Sequence, residues 1–288
     1  MSEDIGNLTW AHGTVLKNKT EKTCDNELNK ALELYKKFRL LAGELNIVDN
    51  ASVSKLVSLL NDYRKQVIPI FEARNNSGQE NLRSTILEEF FQLLFKDLVY
   101  KQLDGKTDNL VLGKADSYVD LTFSPKSFVG MFENPKPYIH KKMQDFVMGI
   151  SLTLSMSSDG TNMIPGEKIV VPVVAIECKT YIERNMLDSC AGTAHRLKSA
   201  MPYCMYIVAS EYMKMDAANP ELTDIDEVFI LCKASNSERL NYAREDRDTH
   251  LIDAKLITDL FEMVNKHVNG LWWSPEDALS IGKVINRP

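Results

Sequence analysis

Opposite charges follow directly on a long apolar segment at Glu177, Cys178 and Lys179. The preceding residues 169–176 (IVVPVVAI) are apolar at every position, which is typical of a strand buried on both faces. Because side chains alternate along a strand, Glu177 and Lys179 share one face and Cys178 takes the other. An isolated pair of this kind usually marks only a strand that emerges into solvent, so its meaning depends on what lies beside it.

A second carboxylate, Asp145, is brought beside Glu177 by the predicted pairing of two strands. Residues 145–156 alternate as a half-buried strand does, and residues 157–166 (SSDGTNMIPG) contain the Asp-Gly and Pro-Gly steps of turns. If the two segments form an antiparallel hairpin about Thr161, Asp145 lies opposite Glu177. Two adjacent carboxylates repel each other unless a cation or a shared proton lies between them.

Hard oxygen ligands suit Mg²⁺, which keeps several waters and takes phosphate oxygens. The predicted metal ligands are Asp145, Glu177 and the backbone carbonyl of Cys178. Lys179 would then assist the attacking water or neutralise the charge that develops on a phosphate. The residues therefore predict phosphodiester hydrolysis at one end of a sheet, with Mg²⁺ as the cofactor.

Helical periodicity dominates residues 25–101. The strongest predicted helix follows Ser84 and carries a wide apolar stripe over residues 86–98, which must face a core. The period then changes to strand alternation over residues 118–123. Three prolines, at positions 125, 135 and 137, predict a loop before the strand that begins at Asp145.

The rest of the chain predicts alternating strands and helices. Thr180 and Glu183 have the spacing of a capping box, which predicts a helix from there to Met201-Pro202. Two further strands and one helix are predicted at residues 203–210, 227–233 and 257–268. A strand, helix, strand succession implies a right-handed crossover and parallel pairing. Pro172 must lie at an edge or a bulge, because it cannot donate to a ladder.

These elements predict an α/β fold, with a mixed sheet flanked by helices and preceded by a helical region. We divide the chain into a mainly helical N-terminal region, residues 1–108, and a catalytic core, residues 109–288. The N-terminal region is expected to contribute a helix to the core and to serve DNA recognition or dimerisation.

Composition excludes several classes of protein. The 288 residues carry 34 Lys+Arg against 40 Asp+Glu, and a net charge of −6 argues against nonspecific coating of nucleic acid, which depends on phosphate neutralisation. A basic groove and metal-holding carboxylates remain compatible with it. The five cysteines are scattered without zinc-site pairs, and no NTPase phosphate loop occurs. No apolar run reaches the roughly 18 residues of a membrane helix, so we expect a cytoplasmic protein with reduced thiols and no membrane partner.

Asp145, a spacer of 31 residues and Glu177-Cys178-Lys179 together resemble the PD-(D/E)XK nuclease superfamily. Gln144 stands where that pattern often has proline. The resemblance extends in patches along nearly the whole chain, which looks like one subunit of the BbvCI-type heterodimeric type II restriction endonucleases. The patches are STILEEFF (84–91), VAIECK (174–179), ERNMLDSCAGTAHRLK (183–198), PYC (202–204), NSER (236–239) and GKVINRP (282–288).

This resemblance implies a PD-(D/E)XK core and a Mg²⁺-dependent endonuclease of two non-identical subunits, each with one active site. Each subunit would cleave one strand of double-stranded DNA at a short, asymmetric site. Two alternatives stay open: a homodimer when the partner is absent, and a catalytically inactive subunit that binds DNA for an active partner. The family also places a helical glutamate near the metal, for which Glu89 is favoured over Glu88.

Basic residues near the carboxylates are candidates for DNA contacts. A cluster just before Asp145 contains Lys136, His140, Lys141 and Lys142. The helix after the Glu177 strand contributes Arg184, Arg196 and Lys198. Each of these side chains could equally be solvated, and phosphate contacts would position the protein without reading the DNA sequence.

Overall fold

The computed structural model describes residues 10–23, 25–73, 82–158, 161–215, 217–244, 249–270 and 274–282. Four helices precede the first strand: α1 (Ala11–Thr23), α2 (Asn26–Gly43), α3 (Asn50–Glu72) and α4 (Ser84–Leu103). The strands are β1 (Leu110–Phe123), β2 (Pro137–Ser158), β3 (Thr161–Ile182), β4 (Met205–Met213) and β5 (Glu227–Ser235). The later helices are α5 (Phe128–Glu133), α6 (Arg184–Ala200), α7 (Asn236–Arg244), α8 (Ala254–Asn269) and α9 (Pro275–Ile281), with a 3₁₀ turn at Pro220–Leu222. No helix within these ranges has the length and apolar content to cross a membrane.

The five strands form one mixed sheet in the order β1-β2-β3-β4-β5. β2 pairs antiparallel with both β1 and β3, whereas β3, β4 and β5 pair parallel. A further parallel bridge joins β1 to β3 at Ser117 and Val170. The parallel pairing of β3 with β4 requires a crossover, and α6 supplies it. The predicted α/β fold with a mixed sheet is confirmed.

The register of β2 against β3 confirms the predicted placement of the two carboxylates. Phe146 pairs with Ile176, so the preceding residue of β2, Asp145, lies at the level of Glu177. Further along, a bulge shifts the ladder and sets Gly149 opposite Pro172. The bulge accommodates a proline in an interior strand, because the ladder is interrupted there and needs no N–H donor from Pro172.

Both hairpin strands are longer than predicted. β2 begins at Pro137, eight residues before Asp145, so His140, Lys141 and Lys142 of the basic cluster lie in a strand, whereas Lys136 directly precedes it. β3 continues to Ile182, so Thr180 lies within the strand and α6 begins at Arg184 without a side-chain cap. The predicted capping box is therefore wrong, because ladder pairing with β4 extends the strand past the local helix signal.

Helices cover both faces of the sheet. One face packs against α4, α8 and the other N-terminal helices in a continuous core, in which Phe95 contacts both Phe146 of β2 and Phe261 of α8. The other face packs against α6, through residues such as Leu187 and Ala194. Because α4 is enclosed by helices and sheet, its polar residues are buried along with its apolar ones. The assignment of residues 1–108 to DNA recognition or dimerisation and of residues 109–288 to catalysis remains a prediction.

The thiols agree with the expected reduced state. Cys178, Cys190, Cys204 and Cys232 are buried and free. Cys24, the fifth cysteine, lies outside the described residues.

Candidate functional site

Asp145, Glu177 and Lys179 lie together at the end of the sheet where β3 approaches α6. The backbone N–H of Cys178 donates to Asp145 Oδ2 at 2.9 Å. Lys179 Nζ lies 2.5 Å from Glu177 Oε1 and 3.6 Å from Asp145 Oδ2, so one ammonium contacts both carboxylates. Each of the three side chains keeps roughly a fifth of its surface exposed, which leaves the group accessible to a ligand.

Lys114 and Glu88 complete the cluster, and sequence reasoning missed Lys114. Lys114 Nζ lies 3.1 Å and 3.2 Å from the two oxygens of Glu88, and 3.7 Å from Asp145 Oδ1. It lies in a β-bulge of β1, next to Gly113 with φ of 136°. A bulge redirects a side chain out of the regular alternation, and the Gly-Lys step in residues 110–116 (LVLGKAD) is the only sequence signal for it.

Burial and mutual repulsion shape the charges of this cluster. Burial, and then the negative charge of Asp145, raise the pKa of Glu88 to about 7, against the opposing effect of Lys114. The same two causes raise the pKa of Glu177. Burial works against the charged form of Lys179, but Glu177 and then Asp145 outweigh it and raise the pKa of the ammonium. The cluster thus holds three close carboxylates against two ammonium groups, an arrangement that favours a further cation.

The preference for Glu89 is corrected by the geometry. Glu89 accepts hydrogen bonds from the backbone of Gly13 at 3.0 Å and from the Tyr35 hydroxyl at 2.8 Å, and it pairs with Arg39 at 3.1 Å. It therefore belongs to the packing of α1 and α2 on α4. Both glutamates are buried. Glu88 is the one that lies at the candidate site, because Lys114 contacts both its carboxylate and that of Asp145.

The donor set fits a hard divalent cation. No three His, Cys, Asp or Glu side chains among the described residues are already close enough to enclose a metal, because Lys114 and Lys179 lie between the carboxylates. Carboxylate oxygens of Asp145, Glu177 and Glu88 are nevertheless the ligand type that Mg²⁺ prefers. The N–H and C=O of one strand residue point to the same edge, so the Cys178 carbonyl is directed toward the strand that carries Asp145.

The predicted DNA-binding residues separate into two groups. Lys136 and Lys142 of the basic cluster are exposed, and so is Arg184 at the start of α6. The others pair with surface carboxylates: Lys141 with Glu167 at 2.7 Å, Arg196 with Asp120 at 3.2 Å and Lys198 with Asp226 at 2.8 Å. Asp226 precedes β5, and the amino ends of parallel strands lie opposite the carboxyl ends, so Lys198 is remote from Glu177.

Comparison with solved structures finds a chain with a similar fold. A chain of the structure titled "native BbvCI A2B2 tetramer at low resolution" matches with a TM-score of 0.67 and 18% sequence identity, over 94% of this chain and 100% of that chain. At this identity the likeness concerns the fold. The likeness covers nearly the whole α/β arrangement of mixed sheet and flanking helices.

The family is established by sequence. A family model described as Bpu10I restriction endonuclease matches residues 79–284, and the chain belongs to this family. The matched range contains every residue of the candidate site, from Glu88 to Lys179, and excludes α1, α2 and α3. A search of curated protein sequences found no match.

Proposed function

We propose that this chain is one of two catalytic subunits of a Mg²⁺-dependent type II restriction endonuclease, and that it hydrolyses one strand of double-stranded DNA at a short, asymmetric site. The observation that carries the proposal is the convergence of Asp145, Glu177, Lys179 and Glu88 at one end of the sheet. Membership of a restriction endonuclease family supports a role for this cluster in phosphodiester hydrolysis. We expect the enzyme to act in the cytoplasm.

Each side chain has a proposed part in hydrolysis. Asp145, Glu177 and the Cys178 carbonyl would hold the metal, with Glu88 as a further ligand. Mg²⁺, when bound, supplies charge stabilisation to the phosphate and lowers the pKa of water. The Lys179 ammonium, already shared by two carboxylates, would orient the attacking water and balance the developing negative charge. The Lys114 ammonium, which contacts both carboxylates, would hold Glu88 beside Asp145.

A second, non-identical subunit is part of the proposal. The structurally similar BbvCI chain comes from an assembly titled an A2B2 tetramer. We propose a comparable pairing here, in which each subunit carries one active site and cleaves one strand. A homodimer would be the form of the chain when its partner is absent.

Strand-selective cleavage tests the proposal. Supercoiled plasmid is incubated with Mg²⁺, the chain and its candidate partner subunit, and the nicked and linear products are separated on a gel. We expect wild type to give linear DNA, and Glu177→Gln or Asp145→Ala to give nicked circles, because only the partner's site remains. Glu33→Gln, which removes a carboxylate from an exposed pair with Lys36, is the control and should still give linear DNA.

One observation favours the rival function of an inactive DNA-binding subunit. In the described part of the chain the ammonium groups occupy the space among the carboxylates, as they would in a structural cluster. In that case Lys179→Ala and Glu177→Gln would give the same DNA product as wild type. Such a result would refute catalysis by this chain while leaving its membership of the family intact.

A further inference from the structure

The loop between β1 and β2 presents aromatic side chains to solvent. Its short helix α5 (FVGMFE) buries none of its residues. Phe128 and Phe132 are 82% and 76% exposed, and their rings meet edge to face with centroids 5.3 Å apart. Val129 beside them is also exposed. An apolar patch of this kind, held in water, usually marks an interaction surface.

Hydrogen bonds hold α5 and the residues beside it, together called the tip of the loop, in a defined shape. The Ser127 side chain caps α5 by accepting from the Gly130 N–H at 3.0 Å. The Ser124 N–H donates to the carbonyls of Pro135 and Lys136, which closes the base of the loop. The two rings are therefore presented by a fixed frame, so little conformational entropy would be lost when they bind.

The surroundings of the rings are basic. Residues 124–142 contain four lysines and one glutamate in a chain whose net charge is −6. Within the described residues no ion pair engages Lys126 or Lys136. This local positive charge complements a polyanion.

The loop that carries α5 continues directly into the strand that carries Asp145. Pro137 and Asp145 are joined by a continuous stretch of β2, which spans about 26 Å at the usual rise of a strand. One turn of B-DNA is about 34 Å. The base of the loop that carries α5 therefore lies within about one helical turn of the phosphate on which the carboxylates would act.

We propose that Phe128 and Phe132 form an apolar wedge that inserts into a base step of the DNA, while the neighbouring lysines contact its phosphates. This inference rests on the proposed function only in its choice of DNA as the ligand. Apolar side chains flanked by basic ones unstack base steps in this way, without a need for a particular sequence. Aromatic residues are also enriched in protein interfaces, but lysine is depleted there, so the four lysines around the rings favour DNA over a protein partner.

The test measures unwinding of DNA without cleavage. Supercoiled plasmid is relaxed by a metal-independent topoisomerase in EDTA, with the chain bound at low salt, and the linking-number distribution is read on a gel. An inserted wedge unwinds the duplex, so wild type should shift the distribution. The double variant Phe128→Ala/Phe132→Ala should reduce this shift by roughly half or more. Leu222→Ala, another highly exposed apolar residue, should behave as wild type.

Two companion measurements decide between the outcomes. Filter binding in the same buffer must show that the double variant still holds DNA, and size-exclusion chromatography compares how it and wild type associate with the partner subunit. An unchanged shift, a wild type that binds DNA without any shift, or a loss of partner association alone would each overturn the wedge. Since no Mg²⁺ is present, failure of the wedge is distinct from failure of nuclease activity, which the plasmid cleavage assay reports separately.

Discussion

At the scale of single residues, Glu88 and Glu89 are neighbours in the chain with opposite surroundings. Glu88 contacts Lys114 at the candidate site, whereas Glu89 contacts Gly13, Tyr35 and Arg39 in the packing of the N-terminal helices. Both are almost wholly buried. Adjacent positions on one helix therefore offer a matched pair of isosteric substitutions.

Glu88→Gln is expected to lower DNA cleavage by about 10²-fold, because it removes one charge from the cluster around Asp145. Glu89→Gln is expected to cost about 2 to 3 kcal/mol of stability, because it weakens a buried charged hydrogen-bond set. Nicking rates and urea unfolding curves for both variants check this. Equal losses of activity for the two folded variants would contradict the assignment of Glu88 to the site.

His12 is a second residue whose surroundings determine a measurable property. It is buried between the Thr85 hydroxyl at 2.9 Å and the Tyr63 hydroxyl at 2.6 Å. Burial lowers its pKa to about 3, against a smaller opposing effect of a backbone hydrogen bond with Leu82. The folded chain therefore keeps His12 neutral under conditions in which the unfolded chain protonates it.

The free energy of unfolding should consequently fall as the pH falls below 6.5 toward 3. For a pKa depressed in the folded state, the stabilisation is complete above the unfolded pKa and is lost on acidification. Between pH 7 and pH 5 the His12 contribution amounts to about 2 kcal/mol. Urea unfolding of wild type and His12→Gln at both pH values should show this difference, and parallel pH profiles would refute it.

At the scale of elements, the β2–β3 hairpin depends on close backbone approach at its bulge. A Cβ added to Gly149 would lie 2.3 Å from the carbonyl oxygen of Val171. Gly149→Ala is therefore expected to cost about 2 kcal/mol and to disturb the register that sets Asp145 against Glu177. Thermal unfolding and plasmid nicking should both report the loss.

Gly192 in α6 provides the control, since a Cβ there meets nothing within 4 Å. Gly192→Ala should stabilise the chain by roughly 0.5 to 1 kcal/mol, through a smaller loss of backbone entropy in a helix. The two glycine variants should thus shift the melting temperature in opposite directions. A melting temperature for Gly149→Ala at or above that of wild type would contradict the packing described for the bulge.

The elements that were predictable from the sequence are those with a long periodic pattern. The alternation of residues 145–156 and the turn signals after it predicted which carboxylates face each other, although the register shifts at three places between the turn and Asp145. The bounds of α6 were not predictable in this way, because Thr180 carries a helix signal that ladder pairing overrides. The helices α1, α5, α7 and α9 were missed, because they are short or lack an apolar stripe.

The candidate site was predictable only in its strand residues. Asp145, Glu177 and Lys179 stand in strands, where alternation and register determine position. The choice between Glu88 and Glu89 depends on what packs around α4 from every side, which a single sequence does not contain. Lys114 is directed to the site by a bulge, and bulges leave hardly any pattern in a sequence.

At the scale of the whole molecule, a buried ionic centre joins the N-terminal helices to the sheet. Glu211 of β4 accepts from Arg64 of α3 at 2.7 Å and from Arg83, just before α4, at 2.7 Å. Arg64 and Glu211 are fully enclosed. Burial opposes ionisation of Glu211, but Arg64 and then Arg83 outweigh it and lower its pKa to about 2. The carboxylate thus stays charged at neutral pH and holds three elements together.

Loss of the Glu211 charge should destabilise the molecule more than loss of one arginine. Glu211→Gln leaves two buried guanidinium groups without their shared anion, and we expect a cost of about 4 kcal/mol or more. Arg64→Met leaves Glu211 paired with Arg83 and should cost less, about 2 to 3 kcal/mol. The double variant should cost less than the sum of the two, since the residues contact each other. Urea unfolding followed by far-ultraviolet circular dichroism and by tryptophan fluorescence gives the three values.

Because the core is continuous across the helices and the sheet, both probes should report one coincident transition. Additive costs, or a separate early transition of the N-terminal helices, would show that this centre does not couple the two parts.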